Sequence, residues 1–396
     1  MGEIVQAAAT VHAPQIFVKP PTEIPEQLEA DIAAMRLIGR DLDETKPDLV
    51  IIIGSDHLET FFLTSVPTFA VIAPEVSKAH FANKDYAMPV HLPFAEDMLD
   101  KLVRMEFDMS YSQDALLGHS FAAVYEWIIE DRDIPVVPIF LNTYLPPLPT
   151  PQRCYQLGQA IRKVVESRPE RVAIIASGGM SHYPGTWKYP QPAYDFDYWA
   201  IANLERGIVD PMLELTSEQL DEVGNTEMLP WYPMWGALDK GAPGELITYQ
   251  PTWHHGHAVM RYLPNKRQGP PTGEIPEAYE FQQGGFEFYK HPHPKDFALN
   301  KILYELRIKK DLRLRFFKDP IKVAKEEYGV PDEQAKLVPT LLDENIDALR
   351  SLQPHPLVKA GAHPLGMLMS LVVVQAEMRR LRAAGELKPG VNLVQV

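Results

Sequence analysis

The sequence predicts an α/β fold, in which a central mixed sheet is flanked by helices and followed by a smaller all-α domain. Two observations lead to this prediction. Short β-branched runs alternate with helical patterns in the first part of the chain, an order typical of layered α/β domains. Beyond a segment rich in Pro and Gly, only helical periodicity is found. We therefore expect an α/β domain over residues 1–264, a linker over 265–294 and a helical domain over 295–396.

Local patterns predict the individual elements. Apolar residues spaced three or four apart predict a helix over residues 25–45, and Pro25 suits its first turn, where the missing N–H costs nothing. A second helix is expected over residues 152–167. The strands are predicted at Ile4–Val11, Asp48–Gly54, Ile134–Leu141 and Arg171–Ala176. The helices of the second part are predicted at residues 296–317, 319–327, 331–342, 343–352 and 363–385.

Composition excludes several classes of protein. The chain has 396 residues, of which 45% are hydrophobic and 23% are charged, as in a globular protein with a real core. Its single cysteine, Cys154, rules out an intrachain disulfide framework and a thiolate zinc cluster, and favours the cytoplasm. No apolar run approaches the roughly 20 residues of a membrane helix, and no basic segment suggests a secretory signal. The net charge of -15 argues against nucleic acid as a partner.

Three of the predicted strands are followed by a histidine at or just beyond the carboxyl end. His12 follows the first strand, His57 the second and His182 the fourth. Ligands of open α/β sheets bind at the carboxyl ends of the strands, so three imidazoles there indicate a metal or acid/base site. A carboxylate would complete a 2-His-1-carboxylate face, which leaves open positions on non-haem iron(II). Spacing does not identify that carboxylate.

Other histidines have weaker contexts. His254, His255 and His257 form a WHHGH cluster, which fits either a second metal site or a strand or loop that borders the same pocket; we favour the pocket. His119 follows a polar stretch and could begin a helix. Several motifs are absent from the sequence: GxGxxG and GxxxxGK[ST] phosphate loops, a GxSxG elbow, HExxH and paired CxxC.

The ordered set VHAP, GSDH, LGH, SGGMSH and NTEMLPW followed by GAL resembles the class III extradiol ring-cleaving dioxygenases, the superfamily of protocatechuate 4,5-dioxygenase and gallate dioxygenase. The C-terminal segments ALNKILYEL, RLRFFKDP, EEYGVPDEQ and GAHPLGML resemble the small helical α-subunit of that group, here fused behind a catalytic β-subunit-like part. We expect a homodimer or higher homo-oligomer. The helical domain is expected to form a partial lid over the pocket; the alternative is that it only buries an apolar face or makes an oligomer contact.

The resemblance also implies roles for individual residues. His12, His57 and Glu227 become the ligands of an Fe(2+) ion. His182 becomes the catalytic base and later acid, and His119 a second catalytic histidine near substrate or oxygen. The implied reaction inserts both atoms of O2 into a catechol-type aromatic ring to give a ring-opened product.

Departures from the family pattern concern the substrate. Gly118 and Ser120 flank His119 where Asp and Gly are usual, and Tyr183 replaces the usual Gln after His182. His255 stands where carboxylate-reading members place a serine. We therefore expect His255, Tyr183 and His257 to contact the substrate. Three alternatives stay open: an aminophenol or hydroxypyridone ring-cleaving dioxygenase, a zinc-dependent hydrolase with the same histidines, and a non-enzymatic member of the fold.

Overall fold

A computed structural model describes residues 1–82, 84–264, 276–343 and 352–387. The chain forms two compact units. The first consists of Met1–Phe61, Val66–His182 and Gln191–Glu287. The second consists of Phe62–Ser65, Tyr183–Pro190 and Phe288–Val396, so two short segments from the first part of the sequence belong to it.

The first unit contains a central sheet of eight strands and a smaller sheet of three. The central sheet has the order β10-β11-β1-β9-β2-β8-β3-β6, and the smaller one β5-β4-β7. Their bounds are β1 (Glu3–Thr10), β2 (Leu49–Ser55), β3 (Phe69–Ile72), β4 (Val76–Phe81), β5 (Lys84–Pro89), β6 (Ser110–Ser112), β7 (Leu116–Leu117), β8 (Val136–Leu141), β9 (Arg171–Ser177), β10 (Glu245–Pro251) and β11 (Gly256–Tyr262).

The central sheet is mixed, as predicted. Strands β1, β9, β2 and β8 are neighbours in that order and run parallel, whereas β11 pairs with β1 and β3 with β8 in the antiparallel sense. The four parallel strands correspond to the four apolar runs of the sequence. Their carboxyl ends therefore lie along one edge of the sheet, which brings the residues after β1, β2, β8 and β9 together.

Helices cover both faces of this sheet, as the alternation along β2 illustrates. Leu49, Ile51 and Ile53 belong to one buried cluster, while Val50 and Ile52 belong to the cluster on the opposite face. The helices of the first unit are α1 (Pro14–Val18), α2 (Pro25–Thr45), α3 (Leu92–Arg104), α4 (His119–Val124), α5 (Pro151–Glu166), α6 (Tyr194–Leu204), α7 (Asp210–Leu213), α8 (Ser217–Glu222) and α9 (Trp231–Ala237), with a π-helical turn at Tyr125–Ile129 and a 3-10 turn at Thr226–Met228.

The second unit contains helices and no strand in its described residues, and it has a hydrophobic cluster of its own. Its helices are α10 (Phe297–Ile308), α11 (Lys310–Lys318), α12 (Pro320–Lys322), α13 (Asp332–Ala335), α14 (Pro356–Lys359) and α15 (Pro364–Ala383), with 3-10 turns at Pro294–Asp296 and Val338–Leu342 and a π-helical turn at Val323–Glu327. None of the described helices is long and apolar enough to cross a bilayer.

The helix predicted over residues 296–317 is divided in the structure. Lys309 has extended backbone angles and separates α10 from α11. The apolar spacing explains the break, because Leu306 and the next buried residue, Leu312, are six positions apart and cannot share one helical stripe. Residues 276–293 of the predicted linker contain no helix or strand. Its residues 265–275, and nearly all of the helix predicted over 343–352, lie outside the described residues.

Candidate metal centre

Three short segments deliver the side chains that were expected to bind a metal. His12 lies two residues beyond β1, and His57 lies two residues beyond β2. Glu227 comes from the 3-10 turn Thr226–Met228, which follows α8. All three side chains are buried, with residue exposures of 1%, 5% and 0%.

The donor atoms of these residues converge. His12 Nε2 lies 3.2 Å from His57 Nε2 and 3.1 Å from Glu227 Oε2, and His57 Nε2 lies 2.5 Å from Glu227 Oε1. Glu227 is further fixed by the backbone N–H of Gly179, which donates to Oε2 over 2.9 Å. The donor atoms of two imidazoles and one carboxylate thus lie together in the buried interior.

Burial keeps both imidazoles neutral. It lowers the pKa of His12 despite the nearby carboxylate, and it lowers the pKa of His57 to about 4. For Glu227, burial alone would raise the pKa, but the surrounding His12, His182 and His57 outweigh it and hold the pKa well below its usual range. The centre therefore contains a carboxylate and two uncharged rings.

Hydrogen bonds behind His12 decide which of its nitrogens faces the centre. The Ser177 hydroxyl donates to the carbonyl of Ser120 over 2.6 Å, so it accepts from His12 Nδ1 over 3.0 Å. Neutral His12 therefore presents the lone pair of Nε2 to Glu227. A lone pair and a carboxylate oxygen 3.1 Å apart repel each other unless a cation lies between them. The donor set fits a divalent metal ion, and a hydrogen bond on the outer nitrogen is what metal-bound histidines usually make.

His182 lies beside this centre. Its Nδ1 donates to the carbonyl of Met180 over 2.7 Å, and its Nε2 lies 3.5 Å from Glu227 Oε1. The bond to Met180 leaves the Nε2 of the neutral ring without a hydrogen and able to accept a proton. The ring is stacked on that of His255, with centroids 3.8 Å apart and planes at 14°.

Tyr144 is a site residue that sequence reasoning missed. It is 1% exposed, and its hydroxyl lies 2.8 Å from Glu227 Oε1 and 2.9 Å from His182 Nε2. One signal was available, since Tyr144 lies three residues beyond β8, the remaining parallel strand whose carboxyl end reaches this edge.

His119 begins α4 on the other side of the centre. Its ring centroid is 4.0 Å from that of His57 and 5.3 Å from that of His12. Glu59 accepts from both its Nδ1 and its backbone N–H, so Nε2 of the neutral ring is an acceptor. Among the described residues, Nε2 has no hydrogen-bond partner. Nitrogen atoms of His12, His57 and His119 lie within 4.8 Å of one another.

The WHHGH histidines divide into two groups. His255 has a ring nitrogen within 4.8 Å of ligand atoms of both His182 and Glu227, which brings it to the border of the centre. His257 packs edge-on against His255, and its Nδ1 lies 2.7 Å from the buried carboxylate of Asp31. In the part of the chain that the structure describes, Nε2 of His255 and of His257 are buried without a hydrogen-bond partner. His254 instead contacts Glu23, at 3.5 Å.

The remaining predicted substrate contact, Tyr183, belongs to the second unit. There its ring packs against Phe288, and its hydroxyl accepts from Lys188 over 2.8 Å. Its predicted role stays a prediction.

Asp197 on α6 connects the segments that carry the base and the carboxylate ligand. It accepts from the backbone N–H of Ser181 and from the side-chain amide of Asn225, both over 3.0 Å, and from the hydroxyl of Tyr249 over 2.7 Å. Ser181 precedes His182, and Asn225 lies two residues before Glu227. Burial raises the pKa of Asp197 to about 7, although the amide and hydroxyl donors oppose this shift.

Comparisons with known proteins found similar sequences and a similar solved structure. Two similar curated proteins, both called "2,3-dihydroxyphenylpropionate/2,3-dihydroxicinnamic acid 1,2-dioxygenase", come from Klebsiella pneumoniae and are 31% and 30% identical over 175 residues. Each alignment covers 44% of this chain and 55% of the relative, so the chain spans about half the length of the curated relatives it matches. A solved structure of an uncharacterized Escherichia coli K12 protein matches with a TM-score of 0.45 and 16% identity, covering 65% of this chain and 99% of the other.

The family comparison covers most of the first unit. Residues 6–260 match the family described as "Catalytic LigB subunit of aromatic ring-opening dioxygenase". This range contains every residue of the buried centre. The chain therefore belongs to the family of catalytic LigB subunits of aromatic ring-opening dioxygenases.

Proposed function

We propose that this protein is an iron(II)-dependent extradiol dioxygenase that inserts both atoms of O2 into a catechol-type ring and releases a ring-opened product. One observation carries the proposal: His12, His57 and Glu227 present two neutral imidazoles and one carboxylate to a single point, with a proton acceptor beside them. Family membership supports the reaction class. The names of the matched relatives support a substrate with two adjacent ring hydroxyls.

His12, His57 and Glu227 would hold the ion and leave coordination positions for substrate and dioxygen. Bound iron(II) would lower the pKa of the substrate hydroxyls and supply the electron transfer between ring and dioxygen. Two imidazoles and a carboxylate suit iron(II), and they also suit zinc, so the identity of the ion rests on the family and must be measured.

His182 would accept the proton of the second ring hydroxyl of the substrate, which the ion alone does not remove. Its Nε2 would take this proton, while the bond from Nδ1 to Met180 holds the ring in place. After ring opening, Nε2–H would return the proton to an oxygen of the product. The histidine thus acts first as base and then as acid.

Substrate recognition would use the buried nitrogens around the centre. His119 presents Nε2 on the His57 side, where it can contact substrate or oxygen. His255 and His257 present theirs on the other side, where they can hydrogen-bond a polar substituent of the ring. We propose Tyr183 as a further contact from its position after His182.

Oxygen uptake and product absorbance with a panel of aromatics would test the proposal. The protein is purified without oxygen, loaded with iron(II) and mixed with 2,3-dihydroxyphenylpropionate, unsubstituted catechol, 2-aminophenol and a hydroxypyridone. We expect uptake with a catechol and a new absorbance from the ring-opened product. Uptake with the aminophenol or hydroxypyridone alone would reassign the substrate class. No uptake with any compound would refute the dioxygenase assignment.

The assembly, the compartment and the role of the helical domain stay predictions. We propose a homodimer or higher homo-oligomer in the cytoplasm, with residues 295–396 as a lid. Light scattering would measure the mass in solution. Protection of backbone amides from hydrogen exchange, with and without a bound catechol, would test for a lid.

A further inference from the structure

A single hydroxyl group connects the carboxylate ligand to the catalytic base. Tyr144 Oη lies 2.8 Å from Glu227 Oε1 and 2.9 Å from His182 Nε2, whereas these two atoms are 3.5 Å apart. The three atoms form a compact triangle between buried side chains.

The donor count decides the direction of these contacts. A tyrosine hydroxyl has one hydrogen, and both the ionised carboxylate and Nε2 of neutral His182 can only accept it. The charged oxygen forms the stronger bond, so Tyr144 donates to Glu227 in a charge-assisted bond. The remaining lone pairs of Oη then face Nε2 of His182. When this nitrogen takes the substrate proton, Oη is an acceptor already within hydrogen-bond distance. The hydroxyl can thus donate to Glu227 throughout the reaction and accept a hydrogen bond from Nε2 of His182 after His182 has taken the substrate proton.

The backbone around Tyr144 is built to hold the ring in place. Asn142 Oδ1 accepts from the backbone N–H groups of Tyr144 and Leu145, and its amide donates to the carbonyl of Leu145 over 2.6 Å. The Asn142 backbone N–H in turn donates to the carbonyl of Thr68, which precedes β3. This closed turn anchors the segment after β8 to the neighbouring strand.

We propose that Tyr144 is a positioning residue that fixes the orientation of Glu227 toward the metal and the distance between Glu227 and the base His182. The inference rests on the proposed function for its catalytic consequence, but its structural part concerns only the ligand set. It predicts that loss of one oxygen atom changes metal coordination and turnover without changing the fold.

The test compares Tyr144→Phe with Tyr232→Phe. Tyr232 is also buried, and its hydroxyl donates to the carbonyl of Met212 over 3.0 Å, away from the three ligands. Both variants lose one buried hydroxyl and its hydrogen bond, so both should lose some stability. The loss should be larger for Tyr144, whose bond is charge-assisted. Cobalt(II) is titrated into each metal-free protein, and its visible absorption spectrum reports the ligand arrangement. kcat and KM for the best catechol are measured on the iron(II) proteins.

We expect Tyr144→Phe to bind cobalt(II) about 10- to 100-fold more weakly or with an altered spectrum, and to lose a similar factor in kcat with KM changed less than about threefold. Tyr232→Phe should match the wild type in spectrum and kcat. Wild-type behaviour of Tyr144→Phe in both measurements would overturn the proposal. Equal losses in both variants, or a Tyr144→Phe protein that alone fails to fold, would also overturn it, because the hydroxyl would then serve the fold. Absence of oxygen uptake by the wild type would refute the proposed function, while the cobalt spectra would still decide the role of Tyr144.

Discussion

Replacing His182 by phenylalanine should separate proton transfer from metal binding. The new ring has a similar volume and can keep the stack on His255, so the pocket should retain its shape. Two contacts are lost, one to Tyr144 and one to Met180. The Tyr144 hydrogen is donated to Glu227, so only the contact with Met180 is a hydrogen bond of the neutral ring. At about 0.5–1.5 kcal/mol for one such bond, the free energy of unfolding should fall by about that amount.

The effects of this substitution on metal and turnover should differ in size. His182 Nε2 lies 3.5 Å from Glu227, outside the group of donor atoms that approach within 3.2 Å of one another, so iron should stay bound. Loss of a positioned general base typically reduces the rate by about 10²- to 10⁴-fold. At about 1.36 kcal/mol per factor of ten, this corresponds to about 3–5 kcal/mol of transition-state stabilisation.

The assay combines iron content with oxygen uptake on the same preparation. His80→Phe is a suitable control, because His80 lies on β4 and is bonded to Asp85 at an exposed position. We expect the control to keep both iron and activity, and His182→Phe to keep iron only. An iron-free His182→Phe protein would show that this histidine is a ligand, and full activity would show that it is not the base. Either result would refute the assignment.

Three further predictions follow from neighbours of the centre. Ser177→Ala removes the acceptor that orients His12, and should weaken iron binding about 10- to 100-fold in a calorimetric titration. In Gly179→Ala, the added Cβ would lie 2.1 Å from His255 Nε2 and would displace this imidazole. We therefore expect a large fall in the rate of oxygen uptake and only a small fall in the melting temperature. Asp197 has a pKa of about 7 in the folded state, above its unfolded value near 3.8. Between pH 3.8 and pH 7 the folded protein therefore binds more protons than the unfolded chain. The contribution of Asp197 to stability thus falls as the pH rises through this range. Urea unfolding of metal-free protein at pH 5 and pH 7 should show this decline, and Asp197→Asn should reduce it.

Each of these predictions has an outcome that contradicts it. Unchanged iron affinity in Ser177→Ala would mean that His12 needs no support at Nδ1. Normal turnover in Gly179→Ala would mean that the imidazole of His255 can move freely, and it would weaken the assignment of that residue to the pocket. For Asp197→Asn, a pH dependence identical to that of the wild type would mean that other groups cause it.

Much of the first unit could be predicted from local sequence. The runs that became β1, β2, β8 and β9 are almost purely apolar, because strands buried on both faces of a parallel sheet need apolar side chains at every position. The antiparallel strand β10 was not predicted, since its partly exposed residues have no continuous apolar run.

The candidate site could be predicted only where it coincides with strand ends. His12, His57 and His182 follow parallel strands, so simple geometry brings them to one edge of the sheet. Glu227 lies in a short 3-10 turn, where no periodic pattern marks it, and the resemblance alone indicated it. Asp31 could not be predicted from the sequence for another reason. It occupies a buried position on the long helix α2, and nothing in the sequence pairs it with His257.

The central claim is that His12, His57 and Glu227 hold an iron(II) ion that makes this chain a dioxygenase. Its most direct test is oxygen uptake by metal-free protein reconstituted in parallel with iron(II) or zinc(II), for the wild type and for Glu227→Ala. We predict about one tightly bound iron per wild-type chain, uptake of oxygen only with iron and a catechol, and neither binding nor uptake in Glu227→Ala. Turnover of an aromatic compound by the zinc(II) protein in the absence of oxygen would contradict the claim. Full iron binding and turnover by Glu227→Ala would contradict it as well.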